Sequence, residues 1–544
     1  MSYNMKKVMM MFAFAAFGCN AMAQDAAVKN GIKLYNYQKY KSAQSALAPL
    51  ADKDPLANYY LGLVQLEMGN IAGASATFAK FPADLANISG TARVAFANKD
   101  VANGNRIAKE LAAKAKKKDW MPQKYAADAI TYSEGGDYNQ AVAWYKEVLL
   151  KNASGDNTET HIGLGDAMRK IPGGGGEAMN NYEMVTEKDK TNSLGFSRIG
   201  DLWYEARNYQ SALDNYARAK EADNANPLPY KALANAYTRS GKYKVALTNL
   251  EEYLSHSDNT PDDQLEYARA LYQAQSYCDA AKQAEKLLNG QTDAIKATEL
   301  TGILGFSQIN CGDSVQALNN LRKYFGMQDA KKILPGAYIE YGKLFMKMDM
   351  LDSAGFYYSK GISGDTARNK TDVYRDVAEA FKSKKEYCKS AEWYSNLVHA
   401  NPEAQAADYV WRVIMYYYCK DWSNAMTAAN EFEAKHGATQ PSAYYWQARV
   451  AAAIDSEATT GLATPHFEKW LEKVGPNYEK KNDLKVAYEY LMYVSFNKKE
   501  KENLKLYKEK ILGIEPNSSK VKMVEDLEKQ SAAPPKKPAA PAKK

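Results

Sequence analysis

Histidine and cysteine are scarce in this chain, five of each in 544 residues. The histidines (His161, His256, His399, His436 and His466) are scattered, and none forms an HExxH pair or joins a cysteine at metal-ligand spacing. A metal centre is therefore not expected. The one glycine-rich run, "IPGGGGEAM" (171–179), lacks the Lys-Ser/Thr of a phosphate loop. It reads as a flexible insertion in a helix–helix turn. No Gly-x-Ser-x-Gly elbow occurs, and pairs such as Glu251-Glu252 are ordinary solvated charges. The sequence thus predicts no enzyme and no cofactor. Sustained β-alternation is missing too, and no stretch after the N-terminus is apolar enough to span a membrane.

A broad basic surface is also lacking. The formal charge is +7, but two of the excess lysines stand in the first 23 residues and four in "SAAPPKKPAAPAKK" (531–544), which leaves +1 for residues 24–530. That excludes nucleic acid as a partner held by a large cationic face. The Pro/Ala/Lys tail cannot bury a core and reads as disordered.

The N-terminus has its own character. Lys6 and Lys7 precede a short apolar run, and Ala21-Met22-Ala23 follows it. This is the pattern of a secretory signal peptide over residues 1–23, with Gln24 as the first mature residue. The alternative is a lipoprotein lipidated at Cys19. Either way the chain reads as exported, with a periplasmic location.

What fills the remainder is helical periodicity. In "LPYKALANAYTRSGKYKVALTNLEEYL" (228–254), Tyr230, Leu233, Ala234 and Tyr237 make one apolar helix face. Ser240-Gly241-Lys242 breaks it, and Tyr243, Ala246, Leu247 and Leu250 make a second. One such hairpin cannot bury its own face and needs neighbours. A small residue early in the second helix marks them at Ala141, Ala178, Ala212, Ala246, Ala280, Ala317, Ala354, Ser390 and Ala425, in steps of 34 to 37. Ala43, Ala74 and, less clearly, Ala108 stand ahead of these. A large residue sits three places before most markers, as at Tyr40, Tyr209, Tyr243 and Trp422. The first helix carries its own small residue: Gly200, Ala234, Ala268, Gly305, Gly342 and Ala378.

This pattern resembles the tetratricopeptide repeat, and the chain looks like an exported Bacteroidota-type member of that family. The resemblance covers most of residues 25–516, with about eleven clear units and up to about fourteen in all. It implies an all-α fold, a right-handed superhelical solenoid of stacked antiparallel helix pairs with a concave groove. Residues 517–530 would form a polar closing helix.

Register also orders the cysteines. Cys278 and Cys388 each begin a second helix, and Cys311 and Cys419 each end the first helix of the following unit. Both pairs would sit at one edge of the stack, which predicts disulfides Cys278–Cys311 and Cys388–Cys419, worth about 2–4 kcal/mol each. The other reading is free thiols as small apolar filler.

The family implies binding rather than catalysis. Adding the repeat step gives two columns on the first helices: Asp201, Asn235, Arg269, Phe306, Lys343 and Glu379, and Tyr204, Thr238, Tyr272, Ile309, Met346 and Lys382. Lys231 and Asn235 match part of the carboxylate clamp by which some members hold a peptide C-terminus. The clamp's later basic residues are replaced by Glu299 and Ile303. The expected partner-binding residues are Lys231, Asn235, Arg239, Arg269 and Tyr272. The expected function is a non-enzymatic periplasmic scaffold holding a protein or peptide partner of the cell envelope. The alternative is an anchoring protein whose basic tail contacts peptidoglycan or anionic lipid.

Overall fold

The computed structural model describes residues 25–364 and 370–532. The expected signal segment with Cys19, and the tail beyond Ala532, lie outside the described residues. Among these residues all regular structure is helical, and no helix is long and apolar enough to cross a membrane. The helices come as consecutive pairs. Those that matter below are Met121–Thr131 with Tyr138–Lys151, Thr158–Arg169 with Gly175–Lys188, Ser193–Glu205 with Tyr209–Ala222, Leu228–Arg239 with Tyr243–His256, and Pro261–Gln273 with Tyr277–Leu288. A closing helix, Ser519–Ala532, follows the last pair.

Local chemistry punctuates each pair. Short polar side chains cap many helices: Asn70, Asp100, Asp137, Asn208 and Asp421 each accept a bond from the backbone N–H three residues on. Thr260 and Asp263 form a reciprocal capping box. Between the two helices the chain turns through one left-handed residue. Gly69, Gly135, Gly173, Gly241 and Gly312 provide it in five pairs. Elsewhere it is held by Gln38, Lys99, Arg207, Gln275, Asp349, Lys385, Lys420 and Lys499, with φ between 57° and 65°. Lys99 lies five residues before Gly104, not before Ala108. The register marker of that pair is therefore Gly104, where an added Cβ would sit 2.8 Å from the Phe96 ring.

The small residues permit close packing. Ala141, Ala178, Ala212, Ala280, Ala317, Ala354 and Ala425 are all 0% exposed. Each opposing small residue receives a side chain from four places after the marker. A Cβ on Gly165 would stand 2.4 Å from the Tyr182 ring, and one on Gly200 2.6 Å from Tyr216. The large residues three places before the marker pack at the turn instead. Tyr209 meets Tyr204 edge-on at 5.5 Å, and Trp422 meets Tyr417 at 5.4 Å.

The chain divides into two compact units at Tyr324/Phe325. In the first, the stack curls round until its beginning meets its later turns. Lys39, ahead of helix Tyr40–Leu47, provides no side-chain cap. Asp258 provides one instead, accepting from Lys41 N at 2.7 Å and Ser42 N at 3.2 Å across more than 200 residues of sequence. The Tyr37 hydroxyl donates to Asp223 beside it. Cys278 and Cys311 are at disulfide distance in this unit, with Cα atoms 5.1 Å apart.

The second unit holds the other cysteine pair, Cys388 and Cys419, with Cα atoms 5.0 Å apart. Its loop 455–463 closes around a carboxylate. Asp455 accepts from the backbone N–H groups of Thr459, Thr460, Gly461 and Leu462, and from the Tyr490 hydroxyl at 2.6 Å. Burial opposes the charge, but these donors outweigh it and hold the Asp455 carboxyl well below its usual range.

Candidate functional site

The first helices of the first unit stand side by side, and their polar residues divide into two kinds. Asp201 of the first column, and Asp128 and Asp166 on the two first helices before it, are already engaged. Tyr145 donates to Asp128 at 2.7 Å, Tyr182 to Asp166 at 2.7 Å, and Tyr216 to Asp201 at 3.0 Å. Each tyrosine stands four residues after the marker of the same repeat, so its ring packs on the small residue and its hydroxyl reaches the carboxylate. Burial, reinforced by the facing acid, raises all three phenol pKa values. In the second unit Tyr394 and Glu379 repeat the arrangement.

Cations of the same helix or of neighbouring first helices complete these sites. Lys124 lies 2.8 Å from Asp128 and 3.2 Å from Glu159. Arg198 Nε is 2.8 Å from Asp166, and Arg169 pairs with Asp201 and Glu205. Among the expected binding residues, Lys231 lies 3.2 Å from Asp263 and 3.1 Å from Glu266, over the Tyr253 ring. Arg269 makes a two-pronged pair with Glu299, the acid that stands where a clamp would have a base. These links run between successive first helices and hold them in register.

The column changes character at Asn235. The residue four places after the marker is Leu250 there, so no tyrosine hydroxyl reaches the amide. Asn235 is exposed, and among the described residues nothing hydrogen-bonds to its side chain. It lines a cleft of about 670 Å³ with Tyr204, Thr238, Arg239, Tyr243 and Gln273. Arg239 makes one bond there, Nε to the Tyr204 hydroxyl at 3.3 Å. Tyr272, which precedes the lining residue Gln273, packs edge-on against Tyr277 at 5.7 Å. A second cleft of about 380 Å³ is walled by Tyr132, Asp166, Lys170, Arg198 and Glu205. Its Glu205 follows Tyr204 of the first cleft on the same helix.

The tyrosine–carboxylate pairs were not anticipated from sequence, where Tyr182 and Tyr216 count as apolar residues. Their signal is a spacing: an acid followed by tyrosine 15 to 17 residues later. Lys170 was not anticipated either. Among the described residues, no His, Cys, Asp or Glu side chains group as a metal site.

No family model matches the chain, and no curated protein does. Solved structures do match. The C-terminal part of a TPR repeat-containing protein from Cytophaga hutchinsonii is 22% identical, covering 48% of this chain and 98% of that one, with a TM-score of 0.33. A tetratricopeptide repeat protein from Parabacteroides merdae is 16% identical over 50% of this chain and 98% of its own, at 0.31. YrrB, described as a TPR protein with an unusual peptide-binding site, is 19% identical over 38% of this chain and 97% of its own, at 0.29. The assignment rests on the chain itself: from Ala141 to Ala425 the hairpins recur every 34 to 37 residues, each second helix buries a small residue there, and in most pairs a large side chain sits on its partner in the first helix, which makes this an all-helical solenoid of tetratricopeptide-type repeats.

Proposed function

We propose that the protein is an interaction scaffold of the cell envelope, exported by its N-terminal segment, which holds a segment of a partner protein in the groove of the first unit. The supporting observation is the cleft at Asn235. Along a face most of whose charged groups are paired among the described residues, it gathers an open amide, an arginine without an acid and two tyrosine rings. Such a mix of aromatic surface and unspent hydrogen-bonding capacity suits a peptide main chain. Asn235, Arg239 and Tyr272 are the contact residues in this reading. Lys231 and Arg269 shape the groove through Asp263, Glu266 and Glu299.

Site-specific photocrosslinking tests the proposal in the native cell. A benzophenone amino acid at Gln273, inside the cleft, should give a discrete adduct with one partner. The same probe at Lys244, on the exposed face of the second helix, should not. Adducts from Lys244 alone would move the interface to the outer face and overturn the assignment.

A further inference from the structure

Six groove cations of the first unit (Arg93, Lys124, Arg169, Arg198, Lys231 and Arg269) each lie within ion-pair distance of a carboxylate. Two do not. Lys170 follows the last residue of helix Thr158–Arg169, and Arg239 ends helix Leu228–Arg239. Neither has an acid at ion-pair distance among the described residues. Lys170 lies over the Tyr138 ring, 5.0 Å from its centroid, and Arg239 bonds the Tyr204 hydroxyl. Partial loss of water lowers the Lys170 pKa, and the nearest acids, Asp166 and Glu134, do not offset it. Each uncompensated cation lines one of the two clefts.

Their spacing carries chemical information. Lys170, Glu205 and Arg239 hold the same place, at the C-terminal ends of three successive first helices. The middle one, Glu205, is neutralised by Arg169. Neighbouring packed helices lie about 10 Å apart, so the helix ends that carry the two open cations are roughly 20 Å apart. An extended chain advances about 3.3–3.6 Å per residue, so that distance is spanned by about six residues.

We propose that the groove selects an extended peptide segment with two acidic side chains about six residues apart, one on Lys170 and one on Arg239, separated by uncharged residues. The Asn235 and Gln273 amides bond the main chain beyond Arg239. A continuous polyanion does not fit. A nucleic-acid strand carries a phosphate at every nucleotide, and the phosphates between the two cations would find no cation left unpaired there. The inference rests on the groove being the partner site, and goes further in naming the chemistry of the segment.

The test uses the full exported chain and fluorescein-labelled twelve-residue Gly/Ser/Ala peptides with two glutamates spaced three, six or nine residues apart, or with glutamine in both places. Fluorescence anisotropy should show the six-residue spacing binding tightest. Replacing either glutamate by glutamine should weaken it by about tenfold, the scale of one charge-assisted hydrogen bond. Lys170→Glu and Arg239→Glu should each lose the preference. A peptide with lysine in the matching position should recover binding to each variant, which a misfolded protein could not do. Equal binding of all spacings and of the glutamine peptide would overturn the acidic pattern while leaving the groove as the site. No binding of any peptide, with Gln273 crosslinks absent as well, would overturn both.

Discussion

Tyr182 and Asp166 are joined by a 2.7 Å hydrogen bond from the second helix of a repeat to the first, and Arg198 of the next repeat grips the same carboxylate. One buried acid thus ties together three helices. Removing the two protein partners has unequal consequences. Tyr182→Phe deletes one donor and leaves the ion pair, a loss of about 1–2 kcal/mol. Asp166→Ala strips Arg198 of its nearest countercharge and should cost about 3 kcal/mol or more. Thermal melting of the two variants checks the order. Equal shifts would show that the arginine draws no stability from this acid.

The left-handed turn residues offer a gain. Arg207 has φ of 59° and Lys385 of 63°, in the place taken by glycine at Gly173 and Gly241. A side chain in that region costs about 1–2 kcal/mol relative to glycine, partly repaid by the greater freedom of glycine in the unfolded chain. Arg207→Gly and Lys385→Gly should each raise the melting temperature. The reverse change, Gly241→Lys, should lower it.

Both cysteine pairs join the second helix of one repeat to the first helix of the next. Closing loops of this length stabilises by about 3–4 kcal/mol each. Reduction should lower the melting temperature while leaving helical circular dichroism nearly unchanged, because the buried alanines and their partners remain. Peptide mapping without reduction should recover Cys278 with Cys311 and Cys388 with Cys419, and no exchanged pairs.

Asp455 makes stability depend on acid in a predictable direction. Its folded-state pKa is depressed, so its contribution is complete above the ordinary carboxylate range and drains away as pH falls below about 4. The Asp455→Asn variant lacks this contribution at every pH. The gap in melting temperature between wild type and variant should be widest near neutrality and close as pH drops through that window. A gap independent of pH would assign the effect to loop shape.

Much of the architecture was legible because it depends on short-range periodicity. The Gly200–Ala212 spacing recurs wherever two helices must approach closely, and Cys278 and Cys311 follow from that register. The polar lattice was not legible in the same way. A periodicity argument counts Tyr216 as bulk, while its hydroxyl reaches across the hairpin to Asp201. Lys170 was hidden by the "GGGG" insertion, which shifts it one place from Arg239 when positions are counted from the marker alanine. Of the groove residues read from sequence, Asn235 and Arg239 line the cleft, whereas Lys231 and Arg269 are bound to acids and lie outside its lining. Charge pairing between repeats decides that difference, and it depends on residues some thirty positions away. The cap that Asp258 gives to Ser42 depends on curvature accumulated over the intervening helices.

That cap can be weighed directly. Asp258→Ala should cost about 1 kcal/mol, as for other lost helix caps, and the cost should be local. Hydrogen exchange in residues 25–47 should accelerate, with protection in the helices from Met121 to Ala222 unchanged. Uniform acceleration across the unit would contradict a local role.

Repeat arrays ordinarily lengthen or shorten by whole units with little penalty, since each unit touches only its neighbours. The bonds from Tyr37 to Asp223 and from Ser42 to Asp258 remove that liberty from the first unit. Gain or loss of one hairpin between them would carry the two carboxylates past their targets by the width of a repeat. The first unit is in this sense a counted object. Its descendants can vary the residues of the groove, but the number of repeats between Ser42 and Asp258 is held by the closure itself.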